Sequence, residues 1–508
     1  MNHDHLIGID LADEADTIRL GEDLARALAA GDCLALSGEV GAGKSTLARA
    51  FLRALADDPH LEVPSPTFTL VQTYDLRIRV SHFDLYRLAD GSELHELGFD
   101  EALQDGICLV EWPEMADRDL PRERIRLQLA HKQDGKGRHA LIDAAPAARA
   151  RIERTLSIRR FLRAHGHGQS ERRFLSGDAS FRVYETITPL EGSDLILMDW
   201  PRRPEGPAVF EGKPYPKVAH LAEDGYPFVA IAHHLRSIGL LAPQVLAVDY
   251  DQGLMLLEDL GQVGVLDDQG RPVLQRYRAA IVSLAHLHST KPVAEIPVTP
   301  DHVHAIPAFD PVAMKIETRL LLDWYLPWQR KGIAASDAER ADYGRIWDDL
   351  IAALSGTEQH LLLRDYHSPN LLWQPERQAP QQVGLIDFQD AMIGPTAYDV
   401  ASLVQDARVT IQPDMARLLL DQYVEKRRAQ GNFDLEAFEK AFAIMSAQRN
   451  CKLAGLWVRL KERDGKPGYL QHMPRTLAYL NTVLSHPVLA PLRQWMAQAG
   501  IDFDHSKA

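Results

Sequence analysis

The first sixty residues carry an apolar pattern typical of a helix, a buried strand and a second helix. Residues 16–29 have apolar side chains at a helical period, and Gly31 is positioned to end that helix. Residues 33–36 are continuously apolar, and helical spacing returns over residues 44–56. The pattern predicts a strand that runs through a glycine-rich turn directly into a helix.

Four further apolar segments continue this first domain and indicate where it ends. They cover residues 80–83, 107–110, 125–130 and 138–142, and the last two flank a turn around Asp134 and Gly135. The small-residue segment that follows, 144–150, is typical of a linker and leads into a basic helical stretch. We therefore expect a first domain over residues 1–150 and a second over residues 151–508.

The second part of the chain begins with strand-like segments and continues with helical patterning. Residues 183–187 and 195–198 favour strands, and helical spacing dominates from Arg276 onward. A small lobe that contains strands ahead of a large helical lobe is an α+β arrangement. The expected fold class is thus an α/β domain followed by a two-lobed α+β domain, with the lobes joined near residues 256–261.

Length and charge narrow the range of functions. With 508 residues the chain exceeds the roughly 250–300 residues of one ordinary core, so at least two domains are expected. The formal net charge of −15 disfavours strong direct binding to nucleic acid, which relies on clustered Lys and Arg residues. No signal-peptide pattern begins the sequence and no apolar run approaches about 18 residues, so we expect a cytoplasmic protein without a membrane segment.

A phosphate-binding motif occupies the glycine-rich turn. Residues 38–45 match G-x-x-x-x-G-K-[ST], between the predicted strand and helix that this motif requires. The glycines let backbone N–H groups surround phosphates, Lys44 is expected to reach the β and γ phosphates, and Ser45 to bind Mg²⁺. The residues expected to bind ATP are Gly38, Glu39, Gly41, Ala42, Gly43, Lys44, Ser45 and Thr46.

Two acidic residues are candidates for the carboxylates that such a site needs. Asp84 and Glu111 each follow a predicted strand, and the carboxyl ends of parallel strands meet at one edge of an α/β sheet. A lone acidic residue after a strand is also common as a helix cap. The pattern alone leaves both interpretations open for each residue.

Four segments of this region occur in the order characteristic of the TsaE family. They are SGEVGAGKSTLARAF at 37–51, SPTFTLV at 65–71, HFDLYRL at 82–88 and the pair Glu111-Trp112. The resemblance implies an ATPase that supports synthesis of threonylcarbamoyladenosine in tRNA in a complex with two other proteins, TsaB and TsaD. It also implies that Ser45, Asp84 and Glu111 form the Mg²⁺ and hydrolysis centre, and that residues 65–69 are a switch-like loop. Ser45 stands where threonine is common in the family.

A second group of polar residues has the spacing of a kinase active site. Asp365 follows an arginine and precedes Asn370 by four intervening residues, which is the catalytic-loop pattern D-x-x-x-x-N. Residues 384–388 then form a predicted strand that ends in Asp387-Phe388, where kinases place a Mg²⁺-binding aspartate. Asp365 is therefore the expected base for the proton of the acceptor hydroxyl, and Asn370 and Asp387 are the expected Mg²⁺ ligands. Turn formation explains each residue singly but not the joint pattern.

Two more segments are expected to contact the nucleotide at this second site. Residues 176–182 are placed to cover the phosphates, although with one glycine they form a poor glycine-rich loop. Residues 253–261 are typical of the hinge between kinase lobes, and the backbone near Glu258 and Leu260 is expected to meet adenine.

Six segments characterise the second half of the chain. They are GDASFR at 177–182, LMDWP at 197–201, LLEDLG at 256–261, RDYHSPNLLW at 364–373, LIDFQDAMIGPTAYDVASLVQDAR at 385–408 and QRNCKLAG at 448–455. They resemble the aminoglycoside phosphotransferase superfamily, which has a protein-kinase-like fold, and within it the bacterial anomeric kinases of N-acetylmuramate and N-acetylglucosamine (AmgK). The resemblance implies ATP-dependent phosphorylation of an amino sugar at its anomeric hydroxyl, in cell-wall sugar recycling.

Two positions depart from the kinase pattern. Leu363 replaces the histidine of His-Arg-Asp, a structural rather than a chemical residue. The usual lysine of the small lobe cannot be assigned, because Met198 and Asp199 stand in the corresponding strand, and phosphate anchoring is therefore in doubt. The candidate replacements are Arg182, Lys213 and Lys217.

Other functions for the second half stay open. A kinase of choline, an aminoglycoside or homoserine would share these motifs, and the unassigned lysine also suits a nucleotide-binding pseudokinase that regulates the first domain. N-acetylmuramate carries a carboxylate, and Arg449 and Lys452, one helical turn apart, slightly favour such an anionic acceptor. Solvated helix charges are the more common explanation of such a pair.

Overall fold

The computed structural model describes residues 6–88, 90–132, 136–175, 182–201 and 206–503. The chain forms two compact units: the first contains residues up to Asp199 with Ala247–Asp249 and Leu254–Leu256, and the second contains the rest. The expected boundary between residues 150 and 151 falls inside a helix of the first unit, and the two-domain assignment stays a prediction. The expected turn at Asp134 and Gly135 and residues 176–181 of the expected phosphate-covering segment lie outside the described residues.

The N-terminal part of the first unit is a sheet flanked by helices. Its elements are β1 (Ile7–Leu11), α1 (Glu14–Ala27), β2 (Cys33–Ser37), α2 (Lys44–Ala56), β3 (Val71–Tyr74), β4 (Val80–Asp84), α3 (Glu93–Glu96), α4 (Phe99–Asp105), β5 (Ile107–Glu111), a 3₁₀ turn (Pro113–Ala116), β6 (Ile125–His131) and β7 (Arg138–Asp143). The strand order is β1-β7-β6-β2-β5-β4-β3. The central strands β2, β4 and β5 run parallel and are buried, which explains their apolar sequences. The expected α/β class is confirmed.

One long helix begins the remainder of the first unit. Its elements are α5 (Pro146–Ala164), β8 (Glu171–Leu175), β9 (Val183–Thr188) and β10 (Leu195–Asp199); after a hairpin in the second unit, β11 (Ala208–Phe210) and β12 (Lys213–Pro214), the strands β13 (Val245–Asp249) and β14 (Leu254–Glu258) complete a five-stranded sheet in the order β13-β14-β10-β9-β8. Pro146 lies in the first turn of α5, where its missing N–H has no helical partner. The small residues at 144–150 therefore begin a helix and do not form a linker.

Helix α5 is shared by two apolar cores of the first unit. Ala148 and Ile152 belong to the core of the N-terminal sheet. Ile158, Phe161 and Leu162, farther along the same helix, pack with residues of the five-stranded sheet. The helix therefore buries apolar surface on both sheets, and neither core is complete without it.

A buried ion network accompanies this shared helix. The Asp23 carboxylate of α1 accepts hydrogen bonds from Arg159 of α5 at 2.9 and 3.0 Å and from Arg172 of β8 at 2.7 Å. Arg172 also donates two bonds, of 2.6 and 2.9 Å, to Glu185 of β9. All four residues are buried. Loss of one member would leave a charge buried without its partner, which is strongly destabilising.

The second unit is mostly helical. After the β11–β12 hairpin its elements are α6 (Tyr215–Val218), α7 (Tyr226–Ser237), α8 (Leu274–Ser289), β15 (Glu295–Thr299), β16 (His302–Ala305), α9 (Pro311–Leu320), a π-helical turn (Leu321–Tyr325), α10 (Leu326–Gln329), α11 (Asp337–Ala352), β17 (Gln359–Leu362), a 3₁₀ turn (Ser368–Asn370), β18 (Leu371–Trp373), β19 (Val383–Leu385), β20 (Met392–Pro395), α12 (Ala397–Val404), α13 (Pro413–Ala429), α14 (Leu435–Glu462), a 3₁₀ turn (Pro467–His472), α15 (Met473–Val483), a 3₁₀ turn (Pro487–Leu489) and α16 (Ala490–Gln498).

Three short two-stranded sheets interrupt the helices that the sequence predicts from Arg276 onward. They pair β15 with β16, β17 with β20 and β18 with β19. The sequence predicts a strand at residues 384–388, where the structure has β19 ending at Leu385, two residues before Asp387. The other five strands, of three to five residues, are too short for a clear period-two pattern and are not among the predictions. The strand-containing segments ahead of this helical unit confirm the expected α+β class. Among the described residues, no helix has both the length and the apolar character needed to cross a membrane.

Candidate functional sites

The loop between β2 and α2 has the backbone conformation of a phosphate-binding loop. Gly38, Gly41 and Gly43 have φ angles of +138°, +82° and +106°, in the region that favours glycine. At Gly38 an added Cβ would lie 2.3 Å from the carbonyl oxygen of Leu129, so a side chain does not fit there. The loop ends at the N-terminus of α2, where free N–H groups and the helix dipole attract anions.

Lys44 folds back over this loop. Its Nζ donates to the carbonyl oxygens of Gly38 (2.6 Å) and Glu39 (3.0 Å) and lies 3.6 Å from the centroid of the Trp112 ring. Burial lowers the pKa of Lys44, although the nearby carboxylate of Glu111 opposes this shift. The ammonium group is thus held at the loop by bonds that a phosphate can replace.

The structure brings Ser45, Asp84 and Glu111 to one edge of the sheet. Asp84 and Glu111 are paired residues of the parallel strands β4 and β5, so both carboxylates emerge at the same end. The Ser45 hydroxyl donates to Glu111 at 2.9 Å. His82 Nε2 lies 3.0 Å from the other oxygen of Glu111, and both side chains are buried. His82 stands in the quoted HFDLYRL segment, but its role becomes visible only once the pairing of β4 with β5 is known.

The predicted switch-like loop contacts the second carboxylate. The hydroxyls of Ser65 and Thr67 donate to the same oxygen of Asp84 at 3.0 and 2.7 Å, and the backbone N–H of Tyr86 donates to the other at 3.1 Å. Ser65 and Thr67 thus join this loop directly to Asp84, and its switch-like role stays a prediction. The sequence indicated this loop through the family resemblance alone.

Asp365, Asn370 and Asp387 meet in the second unit. Asn370 Nδ2 donates to the carbonyl oxygen of Asp365 at 2.9 Å and lies 3.4 Å from Asp387 Oδ2. The β18–β19 pairing causes this arrangement, because it sets Leu371 opposite Leu385 and so brings the residues beside them to one end of the hairpin. Gln389, which the sequence did not indicate, donates to the remaining Asp387 oxygen at 3.0 Å.

Both sites suit Mg²⁺ bound together with ATP. The candidate ligands offer hydroxyl, carboxylate and amide oxygens, the donors that Mg²⁺ prefers. Within the described ranges, no group of three or more His, Cys, Asp or Glu side chains is arranged to hold a metal by itself.

A buried carboxylate fixes the backbone of the catalytic loop. Asp399 of α12 accepts the N–H groups of Leu363 (2.5 Å) and Arg364 (2.9 Å). Burial raises the pKa of Asp399 to about 7, against the opposing effect of these two bonds. Asp399 lies in the long segment that carries the superfamily resemblance, but no spacing rule pointed to its role. The loop is thus held through its backbone at Leu363, the position that departs from the kinase pattern.

Burial and neighbouring charges act in opposite directions on the pKa of Asp365. Burial raises the pKa of Asp365, but Lys452, His367 and Arg364 outweigh it and hold the pKa below its ordinary value. Arg449 is 3% exposed and donates to the carbonyl oxygen of Gln405, and the Lys452 side chain is 12% exposed. The expectation of solvated helix charges at Arg449 and Lys452 is therefore wrong.

Leu260, at the end of the expected hinge segment, lies beside the same hairpin. Gln374, directly after β18, donates to the Leu260 carbonyl oxygen. An added Cβ at Gly384 of β19 would lie 2.9 Å from the Leu260 side chain. The N–H of Glu258 donates to the Gln244 carbonyl at 2.9 Å. Leu260 thus lies close to the hairpin that carries Asn370 and Asp387, while its contact with adenine stays a prediction.

The strand expected to carry the kinase lysine has no cation facing away from α5. Asp199 at the end of β10 forms an ion pair with Arg154 of α5. Leu197 packs in the core between α5 and the five-stranded sheet. Because side chains alternate along a strand, Met198 lies on the opposite face, and it is fully buried. The three candidate replacements Arg182, Lys213 and Lys217 stay predictions.

The chain is similar to known proteins along both halves. Residues 11–140 match the family model "Threonylcarbamoyl adenosine biosynthesis protein TsaE", and residues 171–433 match the model "Phosphotransferase enzyme family". An N-acetylmuramate/N-acetylglucosamine kinase of Caulobacter vibrioides is 33% identical over 353 residues, which cover 68% of this chain and 96% of that kinase. One from Pseudomonas putida is 31% identical over 64% of this chain and 86% of its own length.

The N-terminal half has relatives of its own. A tRNA threonylcarbamoyladenosine biosynthesis protein TsaE of Rickettsia felis is 35% identical over 127 residues, which cover 25% of this chain and 74% of that protein. The two matches follow one another along the sequence without overlap. The chain therefore belongs to the phosphotransferase enzyme family and carries a TsaE-type domain ahead of its kinase-like part.

Proposed function

We propose that this protein is a bifunctional cytoplasmic enzyme. Its TsaE-type domain hydrolyses ATP in support of threonylcarbamoyladenosine synthesis on tRNA, and its kinase-like part transfers the γ-phosphate of ATP to the anomeric hydroxyl of N-acetylmuramate or N-acetylglucosamine. The observation that carries the kinase half is the meeting of Asp365, Asn370 and Asp387 at one end of the β18–β19 hairpin. The proposed acceptor is the one for which its relatives are named.

In the TsaE-type domain, the residues divide into those that bind phosphate and those that act on it. The backbone of residues 38–43 and Lys44 bind the phosphates of ATP. Ser45, Asp84 and Glu111 would hold Mg²⁺, which neutralises charge on the β and γ phosphates when bound. Glu111 or Asp84 orients the attacking water from the edge of the sheet.

In the kinase-like part, Asp365 is the carboxylate left for proton transfer. Asn370 and Asp387 would hold Mg²⁺ and so are committed to the nucleotide. The backbone hydrogen bonds from Leu363 and Arg364 to Asp399 fix the loop that presents Asp365 to the acceptor hydroxyl. Neighbouring cations keep Asp365 ionised, which is the state that a general base requires.

Exposed apolar side chains around the first site support docking of partner proteins, which we propose to be TsaB and TsaD. Val40, Phe68, Tyr86 and Met115 are 77%, 82%, 54% and 44% exposed. Val40, Tyr86 and Met115 lie within four residues of Lys44, Asp84 or Glu111 along the chain, and Phe68 directly follows Thr67, which donates to Asp84. A cluster of large exposed apolar residues beside a nucleotide site is typical of an interaction surface.

The other acceptors considered for the kinase-like part are less well supported. Choline and aminoglycosides are cationic, whereas the Lys452 and Arg364 side chains act on Asp365 as positive charges. A cationic acceptor would meet repulsion there. A pseudokinase role is supported by Met198 alone, and the three polar groups at the β18–β19 hairpin oppose it.

The test is a transfer assay with the full chain, radiolabelled ATP and a panel of amino sugars, aminoglycosides, choline and homoserine. We expect transfer to N-acetylmuramate and N-acetylglucosamine, with phosphorus NMR locating the phosphate on the anomeric oxygen. Transfer only to a cationic acceptor, or phosphate on another sugar oxygen, would contradict the proposed acceptor or the proposed position. Hydrolysis at the first site is measured separately, with TsaB and TsaD present.

A further inference from the structure

The segment QRNCKLAG at 448–455 carries part of the family resemblance, yet none of its residues belongs to the proposed chemistry. It lies in the middle of α14, which packs on α9. An added Cβ at Gly455 would lie 2.1 Å from the backbone of Leu320, at the end of α9. Glycine therefore permits the two helices to approach closely at this position. The polar residues one and two helical turns earlier, Lys452 and Gln448, then reach the buried face of α9.

They meet there a fully buried carboxylate, Glu317. Lys452 Nζ and Gln448 Nε2 each donate to it at 2.9 Å. The guanidinium of Arg364, the residue before the proposed base, also binds Glu317 and donates to the carbonyl oxygen of Ala219 at 3.0 Å. Glu317 is 0% exposed and Arg364 is 2% exposed. A buried carboxylate of this kind is stable only while its cations stay in place.

Arg364 and Lys452 are the two cations that bind the buried Glu317 carboxylate. Arg364 directly precedes the proposed base, so the contact between α9 and the catalytic loop runs through this arginine. The Lys452 ammonium group binds the same carboxylate from α14. Its bond to Glu317 leaves it poorly placed to bind an acceptor.

Kinases that are switched by phosphorylation order their active sites through pairs between arginine and a phosphorylated residue. In this chain the carboxylate of Glu317 forms such a pair with Arg364, the residue before the proposed base. The pair therefore forms without phosphorylation of any residue. The catalytic loop is therefore fixed on both sides, by Asp399 at its backbone and by Glu317 at the Arg364 side chain.

We propose that Glu317 and Lys452 are positioning residues for Asp365, and that Lys452 does not bind the carboxylate of the acceptor. This inference rests on the proposed kinase function. It assigns to the QRNCKLAG segment the task of holding the catalytic loop in its active geometry.

The test compares Glu317→Gln, Lys452→Met and Lys452→Arg in the full chain, with Lys461→Met as the matched control on the solvent side of the same helix. Each variant is assayed with both N-acetylmuramate, which has a carboxylate, and N-acetylglucosamine, which has none. We expect Glu317→Gln and Lys452→Met to lower kcat about ten- to hundredfold for both sugars, with KM values within about threefold of wild type. Lys452→Arg restores most of the loss, and Lys461→Met behaves as wild type.

Selective loss for one sugar would overturn the inference. If Lys452→Met raises KM for N-acetylmuramate and leaves N-acetylglucosamine unchanged, Lys452 binds the acceptor carboxylate. Unchanged kcat in Lys452→Met and Glu317→Gln would likewise refute a positioning role. ATP hydrolysis at the first site, measured in the same samples, controls for folding. If wild-type protein phosphorylates neither sugar, the proposed function is wrong, and the same variants tested on the acceptor found by the panel decide the positioning role separately.

Discussion

The two nucleotide sites hold their functional carboxylates by different means. At the first site, Glu111 and Asp84 are bound by hydroxyls and an imidazole, from Ser45, Ser65, Thr67 and His82. At the second, the loop that carries Asp365 is fixed by the buried Asp399 of α12 at its backbone and by the buried ion cluster of α9 and α14 at the Arg364 side chain. A hydrogen bond between a hydroxyl and a carboxylate can be exchanged for a metal or phosphate at small cost, whereas a buried ion pair cannot be broken cheaply. The first site is thus suited to rearrange around its nucleotide, and the second to stay fixed.

The largest expected effect comes from removing the proposed base of the fixed site. Asp365→Asn should lower kcat for sugar phosphorylation by about 10²–10⁴, because general-base assistance is lost while the loop remains in place. Nucleotide affinity should change little, and ATP hydrolysis at the first site should be normal. Asp387→Asn is the contrast, since loss of a metal ligand should also weaken nucleotide binding. Near-normal turnover in Asp365→Asn would remove the base from the mechanism.

The second prediction concerns the ion network at α5, the helix that contributes to both apolar cores of the first unit. Asp23→Asn leaves Arg159 and Arg172 without their shared carboxylate, and we expect the free energy of unfolding to fall by about 3–5 kcal/mol. Both activities should be lost over the same temperature range, because α5 belongs to both cores of the first unit. Glu153→Gln removes a partly exposed ion pair with Arg149 from the same helix and should cost at most about 1 kcal/mol. Loss of ATP hydrolysis alone in Asp23→Asn would mean that the kinase-like part does not depend on this network.

Removing the phosphate-binding lysine tests the first site by itself. Lys44→Ala should lower ATP hydrolysis by about 10²–10³, since one charge that stabilises the transferred phosphate is lost. Sugar phosphorylation should keep its wild-type kcat and KM. Both rates are measured on the same preparation. An equal fall of the two activities would indicate a single shared catalytic unit.

The smallest effect is expected at a residue that only orients Glu111. His82→Phe removes one hydrogen bond to that carboxylate, and ATP hydrolysis should fall about tenfold. His82→Gln, which keeps a donor, should lose less. His95 of α3, half exposed and paired with Asp100, is the control position, and His95→Ala should have no measurable effect. A loss in His82→Phe as large as in Lys44→Ala would show that the first site is as rigidly held as the second.

Sequence reasoning singles out candidate residues where they are neighbours along the chain or belong to a family segment. The residues of the loop at 38–45 are contiguous, and the resemblance to the TsaE family selects Asp84 and Glu111, which the structure brings together while their roles stay predictions. Glu317 and Asp399 lie 47 and 35 residues from Arg364, and no local pattern connects them to it. Their contacts arise from helix packing, which a single sequence does not display.

At residues 144–150 the prediction from the sequence is wrong. Small residues are common between domains, so the alanines of this segment favour a linker, whereas the structure begins α5 there. Alanine is also the strongest helix former, and proline is well tolerated in a first helical turn, so the same composition suits the start of α5. Composition alone does not separate these two outcomes, whereas the burial of Ala148 does.

Because the cores of the N-terminal sheet and the five-stranded sheet share α5, a single mutation is expected to affect both activities. Two separate genes can be expressed in different amounts and can lose function one at a time. This chain delivers one ATPase domain with every kinase domain, and a lesion at Asp23, Arg159 or Arg172 is expected to remove both from the cell together. Supplying either activity from a separate gene would then repair only half of the resulting defect.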